Sequence, residues 1–187
     1  GTVWLLAFLA GAPAPEPVVK VERDAGVFRI EAQMSVNVDP ATAWDVLTDY
    51  NHLAEFMPDM RESRIVSEPG EPVRLEQKAM TGFLVFRFPI EVVLKVEESP
   101  CSRVAFQSIK GNVKELRGEW RIAGDRSPVT ILYATDLEPS FWVPPLVGPA
   151  LVRADVEAQM VGLAREMIRR KEQGARAIAC ASGVAAP

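Results

Sequence analysis

Few residues in this chain are of types that do chemistry. His52 is its one histidine; it stands beside Asn51, and nothing in the sequence offers it a partner. A nucleophilic triad built on histidine is therefore nearly excluded, and a surface or capping role is the simpler reading. Cys101 and Cys180 form no Cys-x-x-Cys pair, so neither a zinc site nor a disulfide framework is expected, and no cofactor is implied. An oxidising compartment would allow the two to pair. One sits in a tight strand connection and the other in a tail expected to be poorly ordered, which disfavours it. Acid–base catalysis needs an ionisable group aimed into a pocket. Arg87, Glu91, Lys95, Arg117 and Glu119 all alternate out of phase with their apolar neighbours and so point to solvent. The cluster Arg169-Arg170-Lys171 closes a predicted helix, where cations suit the negative end of the helix dipole. A net charge of −4 and a pI of about 5.2 leave no basic surface for nucleic acid. Binding is favoured over catalysis, because no inward ionisable group is evident.

The elements that must position any site follow from periodicity. With 187 residues, 48% of them apolar, the chain suits one domain with peripheral segments. Strands are expected at 18–22 and 27–36, joined by the turn residues Asp24-Ala25-Gly26. In the second, Phe28, Ile30, Ala32, Met34 and Val36 share one face. Asp39-Pro40 starts a short helix, with Asp as N-cap and Pro at the first helical position. A second short helix covers about 51–57 and ends at Pro58. Strands at 61–67, 73–81, 84–97, 103–109, 113–122 and 129–137 follow, separated by short Gly- and Pro-containing breaks, which implies an antiparallel meander. A long helix runs from about 145 to 171. Val152, Val156, Met160, Leu163 and Met167 recur along it at spacings of three and four, while Asp155 falls elsewhere on its circumference.

This order of elements is that of the helix-grip fold, and several segments resemble the polyketide cyclase/dehydrase and coenzyme-Q-binding START-like family. Val38-Asp39-Pro40-Ala41-Thr42-Ala43-Trp44-Asp45-Val46-Leu47-Thr48-Asp49-Tyr50 resembles its opening segment: a polar cap, a helix with a Trp-x-x-Leu pair and an Asp-Tyr corner. Asn51 to Pro58 resembles its second helix, and Gly118-Glu119-Trp120 and residues 151–163 its later landmarks. The resemblance covers residues 27–171. It implies an α+β fold, a curved seven-stranded antiparallel sheet around a long C-terminal helix, with two short helices after the first core strand. The strand at 18–22 lies outside that core. Residues 18–172 form the domain and 173–187 a disordered tail.

A strongly curved sheet closing on a helix leaves space that prefers a greasy ligand to water. The expected lining is Leu75, Phe86, Phe88, Ile90, Val92, Phe106, Leu116 and Trp120 from the sheet, facing Val152, Val156, Met160 and Leu163 from the helix. Gln77, Ser108, Thr81 and Tyr133 are the polar residues on the apolar side; internal bonding is favoured for Thr81. The same side chains could instead fill one another and leave no cavity, and sequence does not separate the two. Phe141-Trp142-Val143-Pro144-Pro145 before the long helix is either a lid or a gate at the cavity mouth, where Trp142 would touch ligand or, transiently, a membrane surface. The expected function is binding and transfer of a neutral lipid, isoprenoid or quinone-like molecule. The alternatives are a polyketide cyclase/aromatase-like enzyme and an interaction module with a filled core.

Residues 1–17 differ from the rest. The uncharged run from Val3 to Ala10, then small residues and prolines, resembles the hydrophobic core and exit of a secretory signal and is too short to span a bilayer. Export, to the periplasm, is the expectation; a docked apolar arm on a cytoplasmic protein is the alternative.

Overall fold

A computed structural model describes residues 15–83, 86–174 and Cys180, with Phe83 and Phe86 described by backbone alone. The signal-like run at 3–10 and most of the expected disordered tail lie outside the described residues.

Antiparallel neighbours joined by short turns make one sheet in the order β1-β2-β8-β7-β6-β5-β4-β3. The strands are β1 (Val18–Asp24), β2 (Val27–Val36), β3 (Met60–Ile65), β4 (Arg74–Phe83), β5 (Phe86–Ser99), β6 (Arg103–Gly111), β7 (Val113–Ala123) and β8 (Val129–Pro139). The seven expected core strands are β2 to β8, and the sheet gains an eighth because β1 pairs with β2 from Val18↔Gln33 to Asp24↔Val27. Without β1 the outer edge of β2 would leave its backbone groups unpaired. Arg23 on β1 also donates to the Val143 carbonyl at 3.1 Å and lies over the Phe28 ring, so the added strand braces the segment that leads into the long helix.

The first helix, α1 (Pro40–Leu47), begins as its sequence dictates: the Asp39 carboxylate accepts from the Thr42 N–H at 2.7 Å, a cap worth about 1 kcal/mol. A 3₁₀ turn (Tyr50–His52) and α2 (Leu53–Phe56) follow. The long helix, α3 (Gly148–Glu172), starts three residues later than expected, with Pro149 in its first turn, where proline costs no hydrogen bond. It approaches α2 closely. A Cβ on Gly162 would fall 2.2 Å from the Phe56 carbonyl oxygen, so only glycine allows that contact.

Curvature comes from register shifts, one of them between Val93 and Leu94 where β5 meets β6. Asn112 locks it: its side chain accepts from the Glu91 N–H at 2.9 Å and donates to the Pro89 carbonyl at 2.8 Å. Alternation holds on the inner face. Phe28, Val36, Ile131, Met160, Leu163 and Met167 are fully buried, and Phe28 reaches the first turn of α3 at Gly148.

Cys101 and Cys180 form a disulfide, their α-carbons 5.6 Å apart. This corrects the expectation from their positions. Cys101 takes a left-handed backbone (φ 64°) in the β5–β6 turn, and the chain beyond α3 returns far enough to reach it.

Candidate ligand-binding cavity

Register builds the inner wall in rows. One runs Val96, Phe106, Gly118, Thr135, Ile30, and the next Val104, Trp120, Tyr133, Ala32. Between these rows and the N-terminal half of α3 lies a cavity of about 180 Å³. The space is lined rather than filled, which decides what alternation alone left open.

Eleven of the residues expected in the lining are there: Leu75, Gln77, Ile90, Val92, Phe106, Leu116, Trp120, Tyr133, Val152, Val156 and Leu163. Four sit elsewhere. Met160 is fully buried in the core; its place on the helix turns it away from the open space. Phe88 stacks on Phe141, ring centroids 5.2 Å apart. The Ser108 hydroxyl accepts from the Leu116 N–H at 3.0 Å, spanning its own strand pair. Trp142 is 72% exposed, because the segment before α3 turns it outward. The side chain of Phe86 lies outside the described residues. Trp120, Tyr133 and Phe106 form an aromatic cluster, with the Trp120 and Tyr133 rings 4.3 Å apart.

The polar lining corrects a second expectation, that no ionisable group points inward. Asp155, one turn from Val152 and beside Val156, faces the cavity together with Asp59. Its carboxylate accepts hydrogen bonds from the Thr81 hydroxyl and from the Gly82 N–H, the latter at 3.0 Å. It thereby ties the β4–β5 hairpin to α3, and Thr81 is bonded internally as expected. Burial, reinforced by the neighbouring Asp59 carboxylate, pushes the Asp155 carboxyl up to about 6 against the opposing hydrogen bonds from Thr81 and Gly82. Asp59 reaches the site from a left-handed backbone (φ 67°) just before β3.

Hydroxyls supply the rest. Gln77 donates to the Ser63 hydroxyl at 3.2 Å. Tyr50 and Thr135 line the cavity, are more than nine-tenths buried, and their hydroxyls lack a hydrogen-bond partner among the described residues. Such groups cost about 1–3 kcal/mol each if left unpaired. Burial, with the Glu98 carboxylate nearby, raises the Tyr50 pKa and keeps the phenol protonated.

Residues 36–161, more than half of the sequence, match the family model described as polyketide cyclase / dehydrase and lipid transport. The chain belongs to this family. No curated protein sequence matches it. Its fold is shared with several solved structures. A STAR-related lipid transfer protein from Xanthomonas axonopodis is 15% identical with a TM-score of 0.65, over 84% of this chain and 96% of that one. The Zhui aromatase/cyclase from Streptomyces sp. R1128 is 17% identical with a TM-score of 0.61, over 84% and 99%. Human StAR-related lipid transfer protein 5 is 8% identical with a TM-score of 0.62, over 82% and 88%. At these identities the likeness is one of fold: an open antiparallel sheet gripping a C-terminal helix.

Asp155 could have been found by following the helix stripe through 152, 155, 156 and 159 rather than its apolar members alone. Thr135 shares its parity with Tyr133 and Leu137 and was equally legible. Tyr50 and Asp59 lie in turns, where no periodicity gives a direction.

Proposed function

We propose that this member of the polyketide cyclase/dehydrase and lipid transport family binds, and carries, a lipid, isoprenoid or quinone-like molecule. The observation that supports the reading most is the cavity of about 180 Å³ between sheet and α3, walled by aliphatic and aromatic side chains. The test is extraction of the purified protein with organic solvent followed by mass spectrometry. A co-purified neutral lipid or quinone is the expected result; repeated recovery of nothing counts against it.

A cyclase-type enzyme is the second reading, and one feature favours it. Asp155, held near pKa 6 beside Asp59, is poised to exchange a proton near neutral pH. Turnover of a polyketide-like substrate that disappears in Asp155→Asn, with ligand binding retained, would move the function to this reading.

The protein is proposed to work after export, in an oxidising compartment such as the periplasm. The Cys101–Cys180 disulfide supports this, since such bonds persist there and are rare in the cytosol. Thiol titration under denaturing conditions without reductant should find no free thiol; two would remove the support. Trp142 and Leu146, 72% and 96% exposed, are proposed to touch membrane surfaces during ligand exchange. A blue shift of fluorescence on adding neutral liposomes, abolished in Trp142→Ser, is expected; an unchanged spectrum would sink the idea.

A further inference from the structure

We propose that Asp155 and Asp59 form a proton-operated clasp on the seam between β4 and α3, shut while the pair holds a proton and released for ligand entry and exit once both carboxyls ionise. The inference rests on the cavity being a binding site, and it adds how that site opens.

The cavity meets the surface along this seam. Its deeper lining, including Leu75, Val92, Leu94 and Val104, is buried. Met80 and Thr81 at the end of β4, with Val152, Asp155 and Gln159 on α3, line the same space but stay partly exposed. The last turns of α3 are pinned elsewhere: Arg170 donates to Asp49 at 2.5 Å and Lys171 to the Asn37 carbonyl at 2.6 Å. In the N-terminal half, the Asp155 carboxylate ties the helix to β4. It accepts from the Thr81 hydroxyl and from the Gly82 N–H at 3.0 Å, both on Oδ2. Behind these bonds lies open space rather than packed side chains. Local opening costs what the broken contacts supply, so the two bonds are a large part of what holds the seam.

Asp59 is set beside them by the same strand end. Its backbone carbonyl accepts from the Met80 N–H at 2.8 Å, one residue before Thr81, and its carboxyl interacts directly with that of Asp155. Two carboxyls in one partly buried place share a proton more readily than they carry two charges. Among the described residues the cations nearby are turned or paired away. Arg61 and Arg87, the second opposite Gly82 in register, are exposed. Lys78 on β4 pairs with Glu62 at 3.5 Å, and Arg153 on α3 pairs with Glu157 at 4.0 Å.

Burial first, and then Asp59, outweigh the bonds from Thr81 and Gly82, so the shut clasp keeps its proton up to about pH 6. Parting the seam hydrates both carboxyls and returns Asp155 toward its ordinary 3.8. Protons therefore favour the shut form, and their loss as pH rises through about 6 favours the open one.

The test uses the full chain with its disulfide intact and N-phenyl-1-naphthylamine, an uncharged apolar fluorophore, as probe. Its release, followed by stopped-flow fluorescence, should be about tenfold faster at pH 7.5 than at pH 5, since each unit of pKa difference corresponds to about a factor of ten. Asp155→Asn keeps an oxygen for Thr81 and Gly82 but cannot ionise, so its release should be slow and the same at both pH values. Asp59→Asn should shrink the step. Hydrogen exchange of the wild-type protein needs no variant to fold: the Gly82 amide should be less protected than that of Ile30 in β2, and its protection factor should fall about tenfold over the same range. Release that is independent of pH or faster at pH 5, or Gly82 protection equal to that of Ile30, would overturn the clasp while leaving the binding function intact. Failure of the probe to bind at any pH would overturn the binding function and the clasp with it.

Discussion

The two halves of α3 are one continuous helix with opposite surroundings. In the N-terminal half, Val152, Asp155, Val156 and Gln159 border open space. In the C-terminal half, Met160, Ala164 and Met167 are fully buried, and Glu166 is fully engaged. Glu166 accepts from Arg169 and Arg170, and Arg170 also binds Asp49, which His52 contacts at 2.7 Å. Each half presents an acid to the body of the protein, and the two are tuned in opposite directions. Hydrogen bonds from Arg169 and then Arg170 hold the Glu166 carboxyl below its ordinary value, outweighing burial. Asp155 is raised, because burial and a neighbouring carboxylate outweigh its two donors. The C-terminal half holds the fold together, whereas the N-terminal half keeps a site open at some cost to it.

The largest effect should come from the covalent tie just beyond the C-terminal half. Replacing Cys101 and Cys180 together with alanine removes a link across 79 residues and should lower the unfolding free energy in urea by about 4 kcal/mol. A loss below about 1 kcal/mol would show that the tail contributes nothing to the grip. Next, Met167→Ala should cost about 3 kcal/mol, as large-to-small changes in packed cores do. Val152→Ala, beside existing open space, should cost under about 1.5 kcal/mol. Equal losses in the same denaturation series would erase the distinction between the halves.

Glu166→Gln should cost about 1–2 kcal/mol at neutral pH, by weakening charge-assisted bonds that Arg169 and Arg170 make at a buried position. Its pH dependence carries a definite sign. The lowered pKa of Glu166 makes its contribution complete above the ordinary glutamate value of 4.5 and lost as pH falls through the lower folded value. Glu166→Gln should therefore flatten the acid limb of the stability curve. Asp155 works the other way. Its folded pKa, about 6, lies above the ordinary 3.8, so the folded state keeps a proton that the unfolded chain gives up. Stability should decline as pH rises from about 4 to about 6 and stay reduced above that. Asp155→Asn should remove this decline; a variant that keeps it would assign the titration to another group.

Much of the fold was legible before any tertiary contact. The faces of β2 and β5 alternate without a break, and Asp39-Pro40 started α1 where their chemistry required. Most of the apolar lining followed, because parity on a strand fixes which side chains share a face. The misses have a common cause. Asp155 was read as belonging to the solvated side because charged residues usually do, yet a helix stripe about 100° wide includes it. Met160 lies at the other edge of that stripe, turned away from the space that Val156 and Leu163 line. The disulfide joins residues whose separation in sequence gives no hint of their distance in space.

By itself, then, the sequence determined the order of elements, the inward face of each strand and the largely apolar character of what they enclose. These follow from local rules: steric preference, hydrogen-bond capping and a period of two or 3.6 residues. Tertiary structure alone decided that the enclosed space is open, chiefly under the N-terminal half of α3. It also decided that two carboxyl groups face that space and that Cys180 returns to Cys101. Those outcomes depend on sheet curvature and on close contacts such as that at Gly162, which arise only when distant segments meet.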